Sequence, residues 1–200
     1  MAKLVMATFN PGKAREFKEM FSGIDVEILC LKDYPGACPP EENGRTFREN
    51  ASIKARAAAA FSGEWALGDD TGLEVKALGG APGIYSARYA GPDCVPEDNC
   101  RLLLSRMAGM ESGREARFEC SLVLVSPEGR EYEASGIVNG SIAKKPRGTG
   151  GFGYDSLFVP DNYSVTFAEM PQNLKNSLSH RGRAIQQLMP VLRTIFGNAS

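Results

Sequence analysis

Histidine is almost missing from this 200-residue chain, with His180 the single example. No histidine-rich metal site can therefore be assembled, and a serine–histidine relay would have one candidate base. The cysteines Cys30, Cys38, Cys94, Cys100 and Cys120 are odd in number and never form a C-x-x-C pair. Neither a zinc ribbon nor a disulfide framework is indicated, which leaves buried or idle thiols as the expectation. Neither sign of charge is in excess: 23 basic and 24 acidic residues leave a net charge of −1. The electrostatic footprint of a long nucleic acid is absent. No apolar run approaches the roughly 18 residues of a membrane span, and Leu4-Val5-Met6-Ala7 is too short for a signal peptide. The expectation is a cytoplasmic protein with neither a membrane nor a nucleic-acid partner.

Hydrophobic residues make up 42% of the chain, enough to bury a full core. With no repeat, low-complexity tract or clear linker, residues 1–200 read as one domain, or as two closely joined lobes. Leu4–Ala7 reads as a strand that breaks at Thr8-Phe9-Asn10-Pro11-Gly12-Lys13 and feeds a helix carrying Phe17, Met20 and Phe21. A second strand, Val26–Leu29, precedes a proline-rich loop. Thr46-Phe47-Arg48-Glu49 has capping-box spacing ahead of an alanine-rich helix that runs through Phe61. Trp65–Leu67 reads as a buried strand running into Gly68-Asp69-Asp70-Thr71-Gly72, and a helix is expected over Pro96–Met107. Arg117–Val125 and Tyr132–Ile142, joined at Pro127-Glu128-Gly129, form a long hairpin. Leu157–Val159 is the last strand. A helix over Ser179–Phe196 should be kinked or divided at Pro190.

Five segments carry candidate chemistry. Gly148-Thr149-Gly150-Gly151-Phe152-Gly153-Tyr154-Asp155 surrounds an aromatic and a carboxylate with glycines, which suit close approach of a ligand to the backbone; a glycine-rich hairpin with a buried Phe is the alternative. The Thr8–Lys13 turn, where a strand feeds a helix, gathers free N–H groups and the positive end of the helix dipole around an anion, with Lys13 adding charge. It is not a P-loop, and a plain helix start with Pro11 at the first position remains open. Asp69-Asp70 follow an apolar strand. If the backbone stays extended, they point to opposite faces, so one meets a metal or substrate while the other supports nearby structure. Together with Glu41 and Glu42 they could hold Mg²⁺, against a solvated acidic turn as the alternative. Lys54 lies on the capped helix, able to reach a phosphate or simply exposed. His180 and Arg181 place two donors in the first turn of the last helix, where cations oppose the dipole.

Together these segments resemble the pyrophosphatases of non-canonical purine nucleoside triphosphates, the inosine triphosphatase family. The matching stretches are Thr8–Lys13, Glu42 with Thr46–Ala51 and Lys54-Ala55, Gly68–Val75, Ala77–Gly91, Gly148–Asp155 and Ser179–Gly182. The resemblance implies an α/β fold with a long mixed sheet and flanking helices forming two lobes around a central cleft. It also implies a homodimer that uses Mg²⁺ to hydrolyse ITP, dITP and XTP to the monophosphate and pyrophosphate. On the matching positions, Asp70 is the proton acceptor and a metal ligand, Glu42 the other metal ligand, and Asp69 a further candidate. Lys13 and Lys54 bind phosphate, with Thr8, Asn10, Gly12 and Thr71 also at the substrate. Phe152, Gly153, Tyr154, Asp155, Lys175, His180 and Arg181 form the base-reading set. Thr71 stands where Ser is common, and Ser156 where Pro usually follows Tyr-Asp. A nucleotide-binding regulator without turnover, or a pyrophosphatase for other modified nucleotides, is the alternative.

Overall fold

The computed structural model describes residues 2–93 and 95–197, so Cys94 lies outside the described residues. Among these, six strands form one sheet in the order β2-β1-β3-β4-β5-β6: β1 (Lys3–Met6), β2 (Glu27–Cys30), β3 (Trp65–Val75), β4 (Glu115–Val125), β5 (Glu131–Ile142) and β6 (Phe158–Pro160). β1 pairs parallel with β2 and β3, and β5 pairs antiparallel with β6. The helices are α1 (Pro11–Met20), α2 (Phe47–Ser62), α3 (Pro96–Arg106), α4 (Gln172–Leu178) and α5 (His180–Phe196). The mixed α/β architecture read from the sequence is the one observed.

The described residues divide into two compact units. The first takes the chain up to Asp70, Cys120–Gly136, and the segment from Arg181 on; the second takes Thr71–Glu119 and Ile137–His180. In the first unit the period-2 alternation of strand side chains assigns every layer. Leu4, Met6, Leu67, Leu122 and Leu124 face one way, packed with Phe17 and Phe21 of α1 and Ile185, Leu188 and Leu192 of α5. Their neighbours Val5, Ala66, Val123 and Val125 face the other way, onto Ala51, Ala55, Ala58 and Ala59 of α2. That alanine stripe follows the helical period and lets α2 come close. At Gly68 a Cβ would run into the backbone of Ala51 and Ala55, so only glycine fits beneath the helix. The second unit packs Leu73, Val75, Leu103, Met107, Phe118, Phe158 and Phe167 into its own core.

β3 meets the condition placed on the two aspartates, since the backbone stays extended through Asp69-Asp70 in one strand of 11 residues. Two local expectations are corrected. The capping box is only half made: Thr46 Oγ1 accepts the Glu49 N–H, whereas the Glu49 carboxylate reaches the Arg45 N–H at 2.6 Å, one residue earlier than expected. Pro190 lies inside α5 without dividing it. Cys30, Cys100 and Cys120 are buried thiols and Cys38 is an exposed one. No helix among the described residues is long and apolar enough to cross a membrane.

Because the atoms a Gly68 side chain would meet are helix backbone rather than a movable side-chain tip, Gly68→Ala is expected to destabilise by at least about 1–3 kcal/mol, as overpacking does. Urea unfolding monitored by circular dichroism measures it.

Candidate active site

The strand period that layers the core also sorts the two aspartates. Leu67 and Asp69 point toward α1 and α5; Ala66, Gly68 and Asp70 point toward α2. On the α2 side, Lys54 Nζ donates to Asp70 Oδ1 at 2.5 Å and lies 3.5 Å from Glu42 Oε2. Asn50, one helical turn earlier on the same strip, donates from Nδ2 to the other Asp70 oxygen at 3.4 Å. Two carboxylates thus face one ammonium. Burial would lower the Lys54 pKa, but Asp70 and Glu42 outweigh it and raise it, so this ammonium stays charged. Burial pushes the Asp70 carboxyl up more than Lys54 and Lys13 pull it down, and Glu42 adds to the upward side. An acid raised in this way is a better proton acceptor than an exposed aspartate.

On the opposite face, Asp69 belongs to a buried charge network. Arg181 Nε donates to Asp69 Oδ2 at 2.8 Å, and Lys13 Nζ pairs with the same carboxylate and lies 3.3 Å from its main-chain oxygen. Glu16 takes the Nη1 end of Arg181, and the Cys120 thiol donates to Asp69 Oδ2 at 3.3 Å. Burial alone would raise the Asp69 pKa, but Arg181 and Lys13 hold it well below the usual range. Arg181 stands in the first turn of α5, and the carboxylates of Asp69 and Glu16 offset the dipole penalty that made a cation there unexpected. The side chain given in the sequence reading to the base is engaged here with these acids, and the carboxylate offered as a further metal ligand is engaged with Arg181 and Lys13.

The helix start at Thr8–Lys13 is capped from within. Asn10 Oδ1 accepts the N–H groups of Gly12 at 2.8 Å and Lys13 at 3.2 Å, and Thr8 Oγ1 accepts that of Asn10. Pro11 occupies the first helical position.

In the second unit the glycine-rich loop is braced by its own acid. Asp155 Oδ2 accepts the Phe152 N–H at 2.8 Å and the Lys175 ammonium at 2.6 Å, and Lys175 Nζ sits 5.1 Å from the centroid of the half-buried Phe152 ring. Gly151, at φ +71°, could carry no Cβ without striking the Asp155 carboxylate; Gly148, at φ +78°, lies against the backbone of Ala168. Two of the glycines expected to serve a ligand are therefore required by the protein's own packing. Tyr154 is buried, with its hydroxyl donating to Ser86 O at 3.0 Å. The buried His180 ring stacks on Phe118 at 4.6 Å between centroids. Ser156 uses its carbonyl to accept the Arg147 N–H. Thr71 is half-buried on β3, as is Gly153 after Phe152.

Sequence reasoning missed Glu16, Asn50 and Ser86. Glu16 lies three residues after Lys13 and Asn50 four before Lys54, spacings that put each on its partner's helical face. Ser86 carried no such signal: its Oγ accepts the Leu73 N–H from a distant segment. Among the described residues no group of three or more His, Cys, Asp or Glu is arranged around a metal. The pair able to hold one is Glu42 with Asp70.

Fold and site together define an α/β protein with an acidic centre flanked by lysines, chemistry suited to a phosphorylated ligand and a hard cation. The sequence pattern of the Ham1 family matches residues 4–191, and the chain belongs to that family. It is 47% identical over 186 residues to a dITP/XTP pyrophosphatase of Exiguobacterium sp., covering 93% of this chain and 94% of that protein. A dITP/XTP pyrophosphatase of Geobacter sulfurreducens is also 47% identical, with 94% and 95% covered. The solved structure of a HAM1 protein from Coxiella burnetii superposes with a TM-score of 0.87 at 36% identity, covering 97% of this chain and all of that one (100%).

The two aspartates carry opposite stability signs. The lowered Asp69 pKa contributes stability above the ordinary carboxylate range that is lost as pH falls through the folded value; the raised Asp70 pKa contributes below that range and is lost as pH rises. Asp69→Asn leaves Arg181 under-compensated and should cost about 3–5 kcal/mol at pH 7. Asp70→Asn removes the cost of a buried carboxylate while weakening the hold on Lys54, so its net effect should stay within about 1 kcal/mol. Guanidinium unfolding of both variants separates the roles.

Proposed function

We propose that this protein hydrolyses the purine triphosphates ITP, dITP and XTP to the monophosphate and pyrophosphate, acting as a single pyrophosphatase domain. The observation that carries the reading is Asp70: a buried carboxylate of raised pKa, held by Lys54 beside a second carboxylate, Glu42. The relatives named dITP/XTP pyrophosphatase support the substrate class. Asp70 accepts the proton of a water attacking the α-phosphorus, while Lys13 and Lys54 offset phosphate charge, with Thr8, Asn10, Gly12 and Thr71 beside them. No covalent intermediate is needed.

Glu42 and Asp70 suit Mg²⁺, since they are hard oxygen donors on separate segments and this ion needs only one or two carboxylates beside water and phosphate. When bound it supplies charge neutralisation at the phosphates and a better pyrophosphate leaving group. Asp69 serves as support for Arg181 and Lys13. Phe152 stacks on the purine, a contact worth about 1–3 kcal/mol for any base. Gly153, Tyr154, Asp155 and Lys175 hold that ring in place. Selectivity comes from a polar donor: the 6-oxo group of hypoxanthine and xanthine suits His180, with Arg181 committed to Asp69 and Glu16, whereas the adenine amino group leaves such a donor unpaired at a cost of about 1–3 kcal/mol. The same reading makes the protein a homodimer, which rests on the family resemblance, and places it in the cytoplasm.

Incubation with Mg²⁺ and, separately, ITP, XTP, dTTP, ATP and GTP, with pyrophosphate resolved from orthophosphate, tests the proposal. IMP or XMP with pyrophosphate, and little product from ATP or GTP, is the expected result; orthophosphate with a diphosphate, or no turnover, overturns it. Asp70→Asn is expected to lower kcat by roughly 10²–10⁴-fold while the protein remains folded.

A further inference from the structure

We infer that Asn50 is a positioning residue that ties the loop carrying Glu42 to Asp70 and so sets the two carboxylates as a pair before any cation arrives. The inference rests on the reading that Glu42 and Asp70 hold the divalent ion. Asn50 is fully buried, with 0% of its surface exposed. Its Oδ1 accepts the Gly44 N–H at 2.9 Å, two residues beyond Glu42, and its Nδ2 donates to Asp70 Oδ2 at 3.4 Å. The partners dictate which end is which, because an N–H requires the oxygen and a carboxylate requires the NH₂. Only a short primary amide offers both functions from one rigid plane at this reach: aspartate would set a second anion against Asp70, and leucine of similar volume would make neither bond.

Gly44 shows how closely the loop is drawn in. A Cβ there would lie 2.6 Å from Asn50 Oδ1 and 2.8 Å from Glu49 Cβ, so the loop backbone rests directly on the first turn of α2. Lys54 completes the arrangement from the next turn of the helix, taking Asp70 Oδ1 at 2.5 Å and facing Glu42 at 3.5 Å. α2 thus holds both oxygens of Asp70, one through an amide and one through an ammonium. The ammonium compensates charge on both carboxylates, whereas the amide holds the loop by its backbone, at the Gly44 N–H. Outer partners that orient metal ligands typically govern metal affinity about 10–100-fold.

The test titrates Mn²⁺ into the nucleotide-free protein, followed by electron paramagnetic resonance, beside kcat and KM for ITP and the unfolding midpoint. Asn50→Leu, which keeps the volume and removes both bonds, is expected to weaken Mn²⁺ binding and lower kcat by about tenfold, with KM changing less than about twofold. Gly44→Ala strains the same link from its other end; it should weaken Mn²⁺ in the same direction, and the double variant should be no worse than the more impaired single one. Should Asn50→Leu fail to fold, Gly44→Ala alone decides. Wild-type Mn²⁺ affinity in the variants that fold, or a wild-type protein that binds no Mn²⁺ without nucleotide, overturns the inference and leaves the pyrophosphatase reading standing. A wild-type enzyme that binds Mn²⁺ in an Asn50-dependent way yet releases no pyrophosphate from ITP overturns the function instead.

Discussion

Everything at the candidate active site depends on the backbone staying extended through Asp69 and Asp70. Two adjacent carboxylates repel and would favour a solvated turn, yet β3 carries both inside an 11-residue strand. Extension separates them onto opposite faces, where each meets its own cations. Asp69 joins Arg181, Lys13 and Glu16; Asp70 joins Lys54 and Asn50. Had the chain turned here, both acids would have competed for the same partners. The pKa values part accordingly, one lowered by cations that outweigh burial and one raised by burial that outweighs cations. Neighbouring residues of identical chemistry are thereby divided between a buried charge network and a carboxylate held beside Glu42.

Close packing sets the positions of the partners. The alanine stripe of α2 and the bare Gly68 beneath it bring that helix onto the strand, so that Lys54 and Asn50 reach Asp70. In the second unit Gly151 and Gly148 allow the loop to fold over the Asp155 carboxylate and along Ala168. Glycine serves the same end in both places, letting an acid or a backbone lie where a methyl group would otherwise stand. The loop therefore carries its brace within it: Asp155 holds the Phe152 N–H and Lys175, and Lys175 lies near the Phe152 ring.

Much of this was legible. Strand runs such as Leu4–Met6, the alanine-rich α2 with Thr46 at its start, and the β4–β5 hairpin all carry strong local periodicity or turn chemistry, and they stand close to where the pattern put them. The conditional reading of Asp69 and Asp70 was also correct in form, since opposite faces follow from an extended backbone alone. What escaped were groups whose partners lie far along the chain. Glu16 meets Arg181 from another helix, Asn50 on α2 meets Asp70 on β3, and the glycine-rich loop answers to Ala168 and Lys175 as well as to any ligand.

By itself the sequence determined the layers of the protein, because helical and strand periods are properties of consecutive residues, and it determined which residue types were present for phosphate and cation chemistry. Only the tertiary structure decided which of two equivalent aspartates would be held by Arg181 and which would rise in pKa beside Glu42. That choice depends on which face of β3 each helix covers, and burial and charge act through space, without regard to order along the chain.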